Sequence, residues 1–193
     1  MRKLLLLGMA VAALLSSCIP VDDLGAYWDK GVIDTLLVGK WQPDEHFKKQ
    51  PNAESVVIAK NGNSYRIDDP DEKMRQRKGY MPTYARTLQA GDTLFFMVGP
   101  KQGDLIRYEI KEDKLEVYSL KAHAMRTFLK EKHPQAKNIE IDECAVCRSR
   151  ARDDDSYDDV KIKTLDSETF AILSEIPKTD AYWTLDNRYK KAL

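Results

Sequence analysis

The sequence predicts a mainly β protein, an antiparallel β-barrel with one or two short helices. Three observations carry this: period-two alternation of apolar and charged residues, turn residues at hairpin spacing, and no strand–helix alternation of the kind a parallel sheet needs. The alternation is clearest in two neighbouring runs. Ile106, Tyr108 and Ile110 alternate with Arg107, Glu109 and Lys111, and Leu115 and Val117 alternate with Lys114 and Glu116. A strand with one apolar and one charged face lies half-buried against a core.

The elements begin after residue 18. Leu24 and Trp28, four apart, suggest a short helix between Asp22 and Gly31, and Gly39-Lys40-Trp41 opens the first strand. Val56 to Lys60 and Ser64 to Asp68 flank Asn61-Gly62-Asn63, a connection that supplies left-handed backbone positions. Thr83 to Ala90 and Thr93 to Val98 flank Gly91-Asp92 in the same way, and Leu105 to Lys111 and Lys114 to Leu120 flank Glu112-Asp113. A helix follows over Ala122 to Lys132, with Met125, Phe128 and Leu129 on one stripe and Pro134 as its stop. Ile139 to Glu143 is strand-like, and Val160 and Ile162 alternate with Lys161 and Lys163. Thr169 to Ile176 is ambiguous: Ser167 could cap a helix, but the β-rich surroundings favour a strand.

The first eighteen residues read as an address. Arg2 and Lys3 precede the apolar run Leu4 to Leu15, then Ser16, Ser17 and Cys18, in the charge order and length of a secretory signal. The run spans roughly 18 Å as a helix, short of the ~30 Å hydrocarbon core, which argues against an uncleaved membrane anchor. Leu15-Ser16-Ser17-Cys18 resembles the bacterial lipobox, with a plain secretory signal and a coincidental cysteine as the alternative. The resemblance implies cleavage before Cys18, thioether diacylglycerol on its sulfur and N-acylation of the new terminus. Ile19 and Pro20 stand where an Asp retains such lipoproteins in the inner membrane, so the resemblance favours the periplasm-facing leaflet of the outer membrane. Stable anchoring by acyl chains needs no transmembrane segment.

Removing residues 1–17 leaves 176 of the 193 residues, one domain's worth, with a lipidated tether and lead-in helix over 18–32 and the barrel over 33–193. Lys+Arg is then 29 (31 less Arg2 and Lys3) against 31 Asp+Glu, a balance that argues against a nucleic-acid partner.

Gly39-Lys40-Trp41 after a short helical lead-in resembles the Gly-X-Trp start of lipocalins and other calycins. The hairpin order, the helix up to Pro134 and a closing hairpin carrying Ile162, Leu165, Phe170, Ile172 and Leu173 are similar to bacterial lipocalin-like lipoproteins over residues 33–176. Two features depart from that plan: the helix precedes the final hairpin, and 135–158 has no place among eight strands. The resemblance implies a lipocalin-like barrel that binds a small apolar or amphipathic ligand, or a lipid. With charged faces outward, Trp41, Tyr65, Ile67, Phe96, Ile106, Tyr108, Leu115 and Val117 line the interior. Trp41 also reads simply as a core tryptophan. The competing function is a packed interaction lipoprotein whose loops at 68–79 and 144–159 bind an envelope protein; Tyr182 and Trp183 could cap the barrel or dock a partner.

Cys144 and Cys147 form the sharpest local motif. In an oxidising periplasm a lone C-x-x-C is by default a disulfide, worth only about 2 kcal/mol for so small a loop. A reduced pair, a metal site or a thiol oxidoreductase are the alternatives, but no thioredoxin-like context follows and His46, His123 and His133 are scattered. The acidic run from Asp153 fails as an EF-hand, with Asp158 at the glycine position and Thr164 at the bidentate Glu position. Without a Gly-x-Ser-x-Gly, His-Glu-x-x-His or phosphate loop, the chain is expected to be neither an enzyme nor dependent on a metal or cofactor.

Overall fold

The computed structural model describes residues 18–48, 55–68, 71, 82–142 and 159–192. Its strands are β1 (Ile19–Asp23), β2 (Gly39–Pro43), β3 (Val56–Asn61), β4 (Ser64–Asp68), β5 (Thr83–Ala90) and β6 (Thr93–Val98), then β7 (Gly103–Lys111), β8 (Lys114–Leu120), β9 (Ile139–Asp142), β10 (Asp159–Thr164) and β11 (Trp183–Lys191). Three α-helices, α1 (Tyr27–Lys30), α2 (Ala122–Lys132) and α3 (Ser167–Glu175), and a 3₁₀ turn (Thr35–Leu37) complete the order. Eight strands, β2 to β8 and β11, form an antiparallel ring that the β6–β7 pairing closes. The mainly β, antiparallel barrel class read from the sequence is therefore observed.

Each tight hairpin falls at its expected residues. The turn positions Gly62, Gly91 and Glu112 have φ of 59°, 58° and 58°, and a β-carbon on Gly91 would also meet the Ser174 carbonyl at 3.0 Å. Because ring neighbours are antiparallel, these three turns and the 35–37 turn gather at one end, here called the lead-in end. The connections 44–55, 69–82, 99–102 and 121–182 leave the opposite, far end.

Period two sorts neighbouring side chains into two cores. Phe96 points into the ring, whereas Phe95 points outward and packs 6.2 Å from Trp183. The outer core also takes Met97 and Leu105 from the barrel wall, Ile19 and Val21 from β1, Met125 and Phe128 from α2, and Ile172 and Leu173 from α3. The insertion 121–182 thus contributes a second apolar layer that covers one side of the ring.

Three expectations need correction. Residues 19–23 are neither tether nor helix but a strand, antiparallel to β7 (Ile19↔Leu105) and parallel to β10 (Val21↔Ile162). Only Tyr27–Lys30 is helical in the lead-in. Thr169 to Ile176 lies in helix α3 and just beyond it, not in a strand: the Asp166 carboxylate accepts from the Thr169 amide at 2.8 Å, and Thr169, Ile172, Leu173 and Ile176 recur at helical spacing on its buried side. Ile162 to Leu173 is accordingly a strand followed by a helix outside the ring, and β11 closes the barrel instead. The Leu185/Asn187 register shift lets Trp183 face outward while Tyr189, six residues on, faces inward.

Candidate functional site: a filled barrel with a charged outer face

Trp41, Tyr65, Ile67, Phe96, Ile106, Tyr108, Leu115 and Val117 all fall in one buried cluster inside the ring. Leu37, Val56, Ile58, Ala85, Val98 and Tyr189 join them and were not singled out from the sequence. Val56 and Ile58 lie in the unbroken apolar run Val56-Val57-Ile58-Ala59, whose inward positions period two cannot pick out, and Ala85 sits between Tyr84 and Arg86. Leu37 lies in the turn before β2 and Tyr189 follows the bulge, so period two could not place either.

The lead-in end is sealed by polar side chains as well as apolar ones. The 35–37 turn runs across it, with Leu37 buried beneath and the Trp41 indole N–H donating to the Leu37 carbonyl at 2.7 Å. Asp34 caps the turn, accepting from the Leu36 amide at 3.0 Å, while its other carboxylate oxygen accepts from the Tyr108 hydroxyl at 3.1 Å. The Tyr65 hydroxyl donates to the Asp34 carbonyl at 3.1 Å and accepts from the Asp34 amide. Thr87 Oγ1 sits 2.9 Å from both tyrosine oxygens. With both tyrosine protons committed to Asp34, the one Thr87 hydroxyl proton can be given to either tyrosine oxygen but not to both at once. Burial drives the Tyr108 phenol far above its ordinary range and raises Tyr65 too, so both remain protonated donors.

Among the described residues, little space is left between these side chains. The gap bounded by Leu37, Ile58, Phe96, Ile106, Tyr108, Leu115 and Val117 measures about 10 Å³. That is at most one water's worth. Phe96 fills the centre, 5.4 Å from the Tyr65 ring and edge-on to Tyr108 at 6.3 Å.

The outer face of β7, β8 and β11 carries a dense charge ladder. Glu116 accepts from the Tyr118 hydroxyl at 2.7 Å, Lys111 Nζ at 3.0 Å, Arg188 Nε at 2.8 Å and Arg188 Nη2 at 2.6 Å. Burial alone would raise its pKa, but these donors hold it down at about 2. Arg107, only 2% exposed, lies between the Tyr118 and Trp183 rings at 4.3 and 4.8 Å and pairs with Glu109. Beside it a cleft of about 210 Å³ runs past Asp92, Glu109, Lys111 and Lys178. Two cations there are already engaged: Lys111 pairs with the Glu109 carboxylate at 2.8 Å, and Lys178 donates to the Asp92 backbone carbonyl.

Cys18 immediately precedes β1, beside β7 of the ring. It packs against the interior cluster and hydrogen-bonds Asp104, whose carboxyl burial pushes up and Cys18 partly pulls back. Cys144, Cys147 and nearly all of the loops at 68–79 and 144–159 lie outside the described residues. Among the described residues no group of three His, Cys, Asp or Glu could hold a metal ion, and no helix is long and apolar enough to cross a membrane.

The class these features define is a closed eight-strand antiparallel barrel whose described interior side chains pack into one buried cluster. No family model, curated protein or solved structure matches the chain.

Proposed function

We propose that this protein is a lipid-anchored envelope component whose filled barrel acts through its outer surface, as an interaction module for an envelope protein. The interior carries this reading. Pockets for small molecules usually measure ~300–1,000 Å³, and the gap between the lining side chains is about 10 Å³. Small barrels packed with their own side chains are stable scaffolds. The anchor rests on the order Arg2-Lys3, apolar run, Ser16-Ser17-Cys18 at the start of the chain. At the lead-in end Val32 and Leu36, 58% and 61% exposed, stand four residues apart on the crossing segment and offer apolar contacts.

A second reading keeps the lipocalin-like carrier. It is favoured by the lining of the gap, which is apolar except for the Tyr108 hydroxyl and would suit an aliphatic or aromatic guest if Phe96 turned aside. Native mass spectrometry of residues 19–193, before and after incubation with an envelope lipid extract, separates the two. A bare mass in both states is expected. A reproducible adduct that leaves on denaturation would overturn the interaction module in favour of the carrier, and its mass would give the cargo class.

A further inference from the structure

We infer that the protein stands end-on at the membrane, with the far end of the barrel against the lipid headgroups and the lead-in end turned away. The inference rests on the acylation of Cys18 proposed above, and the register of β1 supplies the geometry. Ile19 is already paired with Leu105 and is buried, so no free residue separates the acylated position from the sheet. A ten-residue tether would give ~35 Å of play, whereas here the reach is that of a single residue, about 3.5 Å.

Direction follows from side-chain parity. Phe96 and Ile106 are paired and point inward, so Asp104, two residues from Ile106, shares the inner face of β7. Cys18 packs against that same interior cluster and hydrogen-bonds Asp104, while Ile19 and Val21 face the outer core. The Cys18 sulfur is thus aimed at the ring interior near the end where β7 begins. Chains attached there cannot run on into the barrel, because the gap beyond is about 10 Å³. The barrel end nearer to Cys18 is the far end, where β7 begins and β1 runs alongside it. Residues 44–48 and 99–102, which follow the far ends of β2 and β6, then meet the headgroups, whereas the turns at 61–63 and 112–113 and the exposed Val32 and Leu36 project away from the bilayer.

The test uses the full chain matured in a lipoprotein-processing host and reconstituted in phosphatidylethanolamine–phosphatidylglycerol vesicles that contain a headgroup-photoactivatable phosphatidylethanolamine. Intact mass is read first. An unmodified Cys18 would overturn the anchor and the inference together. With acylation present, crosslinks should be several-fold enriched on peptides covering 44–48 and 99–102 relative to those covering 60–63 and 111–114. Enrichment at the hairpin turns, or uniform labelling, would overturn the end-on orientation while leaving the anchor standing.

Discussion

Single side chains here are held by specific partners, and their removal should register individually. Glu116 is the clearest case. Its folded pKa lies near 2, below the ordinary carboxylate value of 4.5, so the stabilisation it contributes is complete above about pH 5 and is lost as pH falls from there towards 2. Glu116→Gln should cost roughly 1–3 kcal/mol at neutral pH, because Lys111 and Arg188 lose the negative charge they share and one of its two acceptor oxygens. The variant should also flatten the acid limb of a urea-denaturation series taken between pH 5 and 2. A parallel acid limb in both proteins would mean that the Glu116 cluster is not formed. Inside the ring, Tyr65→Phe removes a group that serves both the amide and the carbonyl of Asp34. A loss of about 1–2 kcal/mol is expected in chemical denaturation, with faster hydrogen exchange at Asp34 and Leu36 as the sign that the crossing segment loosens. Tyr189→Phe is less informative, since its ring remains buried among the same apolar neighbours.

At the scale of elements, the helix that reads as a strand and the strands that go unread have separate physical causes. Thr169 to Ile176 contains enough β-formers to suit a strand, and what decides it is local: the Asp166 carboxylate satisfies an orphan amide of the first turn. Asp166→Ala should therefore destabilise the protein by about 1 kcal/mol, measured by thermal or urea unfolding. Strand β11 is hidden for a different reason. Its bulge between Leu185 and Asn187 inverts the alternation, so Trp183 and Tyr189 belong to opposite cores and no single period fits both. The hairpins were legible because Asn61-Gly62, Gly91-Asp92 and Glu112-Asp113 fix their turns and period two fixes their faces. The eight interior residues came from that same period, which is why they fall in one cluster. The lead-in resisted reading because β1 is stabilised by distant partners, Leu105 and Ile162, that no local pattern announces. Stopping the chain before Trp183 should then open the ring between β8 and β2 and abolish cooperative unfolding, an outcome checked by calorimetry.

For the molecule as a whole, two cores share one wall, and the barrel's own side chains occupy the space a carrier would leave for cargo. Charge and turn chemistry make this arrangement self-sufficient: the polar seal of Asp34, Tyr65, Thr87 and Tyr108 closes one end, and the Glu116 ladder pins the seam where β7, β8 and β11 meet. The central claim is that the ring is filled, and Phe96→Ala addresses it directly, since Phe96 touches Tyr65 and Tyr108 at the heart of the interior. In a filled barrel the substitution removes buried aromatic contacts and leaves a new cavity, so urea denaturation should report a loss of about 3–5 kcal/mol. A loss of less than about 1 kcal/mol would contradict the account, because a ring trimmed at the wall of an existing hollow has few packing contacts to lose.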